Sequence, residues 1–212
     1  MPFRRLVLSL FAALLFFGCA EPPPPGLERG AQLYGTCVPC HGEEGEGRRE
    51  YGAPAIAGLD QWYVQTQLEH FRSGARGSHP DDVEGLRMRP MVQTLRSDDD
   101  LRSVAEYVAS LPPANPAPML SGGDPERGRE LYATCAECHG ENGTGDRERG
   151  APNITRTSDW YLFAQLAKFK NGIRGTDPRD TTGATMRPMA MALADEQAMR
   201  DVVAYIATLP RQ

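Results

Sequence analysis

Two runs in this chain of 212 residues carry the densest chemistry: Cys37-Val-Pro-Cys40-His41 and Cys135-Ala-Glu-Cys138-His139. Two thiols three residues apart on one helical turn can form thioethers with the two vinyl groups of a haem. The histidine that follows then lies against the ring face, where its imidazole can ligate the iron. Paired cysteines also serve zinc and redox dithiols. A zinc site needs four ligands, and each run supplies two Cys and one His. A thioredoxin-like dithiol needs a βαβ frame, which the sequence pattern does not supply. Two covalently bound haem c groups are therefore expected.

These runs belong to a longer repeat. Glu28-Arg29-Gly30 returns as Glu126-Arg127-Gly128, and Trp62-Tyr63 returns as Trp160-Tyr161. Met88-Arg-Pro-Met91 returns as Met186-Arg-Pro-Met189, and Tyr107 to Pro112 returns as Tyr205 to Pro210. Every pair is offset by 98 residues, so the halves align without a gap. The expected organisation is a signal segment at 1–20, a Pro-rich spacer at 21–27, one domain at 28–112, a Pro/Gly-rich linker at 113–125 and a second domain at 126–212.

The elements that position the cysteines read as helices separated by Gly-rich loops, and no strand alternation is visible. Ser97 reads as an N-cap, followed by Leu101, Val104, Val108 and Leu111 at helical spacing; Met199, Val202, Ile206 and Leu209 repeat the stripe. Trp62 to Phe71 and Trp160 to Phe169 read as another helix each, ended by Gly74 and Gly172. The expected fold is all-α: two tandem domains, each of three or four short helices. So few helices bury little apolar area, and a large cofactor at the centre of each half would complete the core.

The repeat also serves as a control for the sixth iron ligand. His70 aligns with Lys168 and His79 with Asp177, so neither histidine is shared and both are expected at the surface. The shared candidates are Met88/Met186 and Met91/Met189. A thioether ligand favours reduced iron and raises the potential, which suits electron transfer. Chemistry alone does not choose between the two pairs.

The CxxCH-Gly start, Gly-rich loop, methionine and aromatic-bearing C-terminal helix together resemble class I cytochromes c. The tandem form is similar to periplasmic di-haem cytochromes of the c4 type, over residues 27 to about 210. This resemblance implies that the axial methionine sits seven residues before the leucine preceding the last helix. Met88 with Leu95 and Met186 with Leu193 meet that spacing, leaving Met91 and Met189 as packing residues. It also implies close contact of Gly30 with Tyr107 and of Gly128 with Tyr205. Pro54 and Pro152 become the carbonyls that accept the proximal imidazole N–H. Trp62, Tyr63 and Arg76, with Trp160, Tyr161 and Arg174, become candidates to hold haem propionates, core packing being the other reading of the aromatics. The segment GxRGxxPxDxxGxxMRPM also resembles cytochrome c domains fused or bound to terminal oxidases.

Two arginines, the apolar stretch Leu6 to Phe17 and Gly18-Cys19-Ala20 make an export signal. Cys19 directly after the apolar run resembles a lipobox, so lipidation there and a periplasmic, membrane-anchored chain are expected; cleavage after Ala20 is the competing outcome. Net charge −5 argues against a nucleic-acid binder. The charge is uneven: residues 21–112 hold 9 Lys+Arg against 15 Asp+Glu, and residues 113–212 hold 12 against 13. The expected function is a single-electron carrier between respiratory redox proteins or membrane complexes. A fixed subunit of an oxidase or quinol-oxidising complex and a di-haem peroxidase are the alternatives.

Overall fold

The computed structural model describes residues 22–211. The signal segment and Cys19 lie outside the described residues. The first half contains α1 (Leu27–Tyr34), α2 (Val38–His41), α3 (Gln61–Ser73), α4 (Val83–Val92) and α5 (Asp98–Ser110). The second contains α6 (Pro125–His139), α7 (Asp159–Lys170), α8 (Thr181–Ala192) and α9 (Glu196–Ile206). Extended pairing among the described residues is confined to the isolated bridges Arg48–Ala53 and Asp146–Ala151.

One helix of the second half, α6, corresponds to two in the first, and the sequence says why. Pro39 has no N–H for the Gly35 carbonyl and its ring would crowd that carbonyl; Gly35 itself disfavours helix. The second half has Ala133 and Glu137 there, both good helix formers, and the helix runs through to His139. The methionine segment, to which the sequence reading assigns no helix, is helical in both halves; with the break between α1 and α2 this gives the first half five helices rather than three or four, and the second half four. Asp82 and Asp180 start these helices by accepting from the N–H of Gly85 (3.2 Å) and Gly183 (2.8 Å).

In each half the first helix crosses the last at a glycine. A Cβ on Gly30 would overlap the Ser103 carbonyl and the Tyr107 Cβ, and one on Gly128 would overlap the Asp201 carbonyl and the Tyr205 Cβ. Only glycine permits this approach, as expected from the sequence. The crossing is locked by aromatic pairs, Tyr34 with Tyr107 and Tyr132 with Tyr205, each with ring centroids 5.2 Å apart. Tyr34 then donates to the Gly42 carbonyl (2.9 Å) and Tyr132 to the Gly140 carbonyl (2.8 Å), fastening the residue just after each CxxCH run. The buried stripes predicted for the last helices, Leu101-Val104-Val108 and Met199-Val202-Ile206, form the two small cores. Ser97 caps α5 by accepting from the Asp100 N–H at 3.0 Å.

Candidate functional site

Each CxxCH run ends its helix with a buried histidine. His41 Nδ1 lies 2.9 Å from the Pro54 carbonyl oxygen and His139 Nδ1 lies 2.9 Å from that of Pro152. A carbonyl only accepts, so Nδ1 carries the hydrogen and Nε2 is left with a free lone pair. Burial holds both imidazoles below the usual histidine range, against the opposing pull of that bond, so both are neutral and ready to donate to a metal. The loop that brings Pro54 and Pro152 into place depends on Gly47 and Gly145. They have φ of 81° and 84°, and a Cβ on either would run into the proline segment.

One continuous cavity reaches both histidines and is lined by Met88 and Met186. Its walls are largely apolar and include Leu68, Phe71 and Phe169. Tyr63, Trp160 and Tyr161 also line it, whereas Trp62 packs edge-on against Tyr63. Met91 and Met189 do not pack as expected. They are 41% and 39% exposed although i and i+3 share a helix face, and Met189 borders a smaller recess beside Cys135, Cys138 and His139.

Arg76 and Arg174 are buried and make a pseudo-symmetric network between the halves. Arg76 donates to Gln67 (2.8 Å) in its own half and to Gln165 (3.0 Å) and Tyr161 (2.8 Å) in the other. Arg174 donates to Gln165 (2.9 Å) in its own half and to Gln67 (2.8 Å) in the other. Each guanidinium also lies over a phenylalanine ring, 4.5 Å from its centroid. The two glutamine amides carry no charge, and the Nε of both arginines is buried without a partner. Buried cations need an anion. A cofactor bearing carboxylates fits that need. Gln67 and Gln165 were missed in the sequence, although the 98-residue offset pairs them.

His70 is not a surface residue as expected. Its side chain is 13% exposed, with Nδ1 3.5 Å from Asp180 Oδ1 in the other half, because α3 presents this face to the second domain. Its aligned partner Lys168 makes the matching contact, donating to Asp82 and Glu84 at 2.6 Å each. His79 is at the surface.

Both halves thus repeat thiols, a neutral imidazole with Nε2 free, a thioether and a buried cation around an apolar cavity, and this donor set fits haem. The sequence profile of the cytochrome c family matches residues 27–112 and again 125–210. The chain belongs to the cytochrome c family. It is 29% identical to a thiosulfate dehydrogenase electron acceptor of Thiomonas intermedia, over 99% of this chain and 93% of that protein. It is 32% identical to the cbb3-type cytochrome c oxidase subunit FixP of Bradyrhizobium diazoefficiens, over 60% of this chain, and spans 44% of that protein. The structure of reduced recombinant cytochrome c4 from Pseudomonas stutzeri superposes with a TM-score of 0.67 at 28% identity, covering 87% of this chain and 98% of that one. This cytochrome is accordingly a c4-like, all-α, tandem di-haem protein of electron transfer, with two covalently bound haem c groups. Among the described residues no helix is long and apolar enough to cross a membrane.

Proposed function

We propose that this cytochrome carries single electrons between a donor enzyme and a terminal oxidase in the periplasm, tethered by a lipid on Cys19. Covalent haem supplies a reversible one-electron iron couple. In this reading Cys37, Cys40, Cys135 and Cys138 anchor the two groups, His41 and His139 are the proximal ligands, and Met88 and Met186 the distal ones. Arg76 and Arg174 neutralise the carboxylates where the halves meet. The domain limits 28–112 and 126–212 follow the same repeat. The observation that carries the proposal is the duplication of the whole donor set: thiols, imidazole, carbonyl and thioether recur in both halves. The acids on the Met88 side of the cavity, Asp82 and Glu84, are engaged by Lys168 and have no carboxylate pair in the other half, where only Asp180 recurs.

The donor is of the thiosulfate-oxidising class, because the likeness to a thiosulfate dehydrogenase electron acceptor runs along almost the whole chain. The likeness to FixP supports an oxidase as the acceptor, and also a second reading in which the chain is a fixed oxidase subunit. The test is anaerobic mixing of the oxidised protein with thiosulfate. Reduction only in the presence of a thiosulfate dehydrogenase supports a carrier, whereas reduction by thiosulfate alone, or rapid turnover of hydrogen peroxide, makes it an enzyme. Isolation in stoichiometric complex with an oxidase favours the fixed subunit. Mass spectrometry of the mature chain decides the tether by the presence or absence of acyl mass on Cys19.

A further inference from the structure

The α4 helix that carries Met88 is poorly able to support itself. It has ten residues, and Pro90 within it has no N–H for the Leu86 carbonyl. Its start is built with care. Asp82 is buried and caps the helix through the Gly85 N–H, and Gly85 has no room for a Cβ against the Asp82 carboxylate and Gly77.

The cap is held from the other half. Lys168, on α7 of the second domain, places Nζ 2.6 Å from Asp82 Oδ1 and 2.6 Å from Glu84 Oε2. Its side chain is itself largely buried, at 12% exposed. Charge-assisted bonds with little solvent around them are strong and directional. The pseudo-symmetric contact is weaker in kind. His70 faces the Asp180 cap of α8 at 3.5 Å, its Nδ1 lacks a hydrogen bond, and Thr182 stands where the first half has Glu84.

We propose that Lys168 is a positioning residue for the opposite domain's methionine: it fixes the start of α4 and thereby holds Met88 toward its iron. The second domain lacks an equal clamp on Met186, so the two methionines differ in how firmly they are held. This rests on the reading of Met88 and Met186 as axial ligands.

The experiment uses the full-length holoprotein and imidazole as a competing ligand, titrated spectroscopically into the ferric state. In an M186H background only the Met88 iron responds, and in an M88H background only the Met186 iron does. K168Q is expected to tighten imidazole binding at the Met88 iron by roughly threefold to tenfold, because a charged hydrogen-bonded clamp is lost. K168R should restore most of the original affinity. At the Met186 iron K168Q should change little. E84Q, at a half-exposed position, should act in the same direction by less and carries the test if K168Q fails to fold. Unchanged affinity at the Met88 iron, or equal tightening at both irons, overturns the proposal, the second because it marks a general loosening of the interface. The ligand reading is checked separately by M88H alone. If that variant keeps the whole near-infrared Met–Fe band, the ligand assignment is wrong and the proposal falls with it.

Discussion

Met88 and Met91 lie three residues apart on one helix, yet Met88 lines the cavity reached by His41 while Met91 faces solvent. Met186 lines it too, whereas Met189 is 39% exposed and borders a smaller recess beside Cys135, Cys138 and His139. Met88→His and Met186→His are therefore each expected to remove about half of the weak near-infrared band of the oxidised protein. Each should lower one midpoint potential by roughly 100–300 mV, since imidazole stabilises ferric iron better than a thioether. The same change at Met91 or Met189 should leave band and potentials nearly intact. Redox titration of the four variants checks this.

The glycine crossings should be intolerant of a single methyl group. Gly30→Ala and Gly128→Ala should each cost about 3 kcal/mol, because the clash is with backbone carbonyls that cannot swing aside. That outweighs the roughly 1 kcal/mol gained from alanine's helix propensity. Denaturant unfolding measures the difference, and a loss near zero would mean that the helices can separate freely.

Asp201 gives one pH dependence. Burial opposes its charge, but the Asp124 N–H, the Gln197 amide and the Arg127 guanidinium outweigh that and hold its carboxyl below the usual 3.8. The folded protein then binds fewer protons than the unfolded chain, so this contribution is present above pH 3.8 and lost as pH falls through the lower folded value. Asp201→Asn should destabilise the protein at neutral pH, and the gap from wild type should close below about pH 4. Thermal melts at several pH values test this. A gap that stays constant down to pH 2 assigns the effect to packing.

Charge should govern encounter. With 15 Asp+Glu against 9 Lys+Arg in residues 21–112, electron exchange with a basic single-haem cytochrome should slow as ionic strength rises from about 0.01 to 0.15 M. Stopped-flow rates that stay flat over that range count against steering by the first half.

Much of this was legible from residue types and spacing. The CxxCH runs, the 98-residue repeat, the Ser97 cap and the Gly30–Tyr107 crossing depend on local chemistry or on a pattern seen twice. The methionine helix was not legible, because an interior proline and a weak apolar stripe hide a helix that its Asp82 cap and the other domain sustain. His70 was misplaced for a related reason. A histidine unmatched in the other half looks incidental until α3 is seen facing the second domain, where its counterpart is a lysine making the same contact.

The reciprocal bonds of Gln67 with Arg174 and Gln165 with Arg76 have the form of an isologous contact, in which residue i meets j and j meets i. In a dimer of identical chains any substitution in such a contact appears on both sides at once, so its effect is doubled and its symmetry is enforced. Joining the two copies by a linker removes that constraint. Each side can then change alone, and Lys168 opposite His70 is such a divergence. Covalent fusion thus permits two chemically equal haem sites to become unequal.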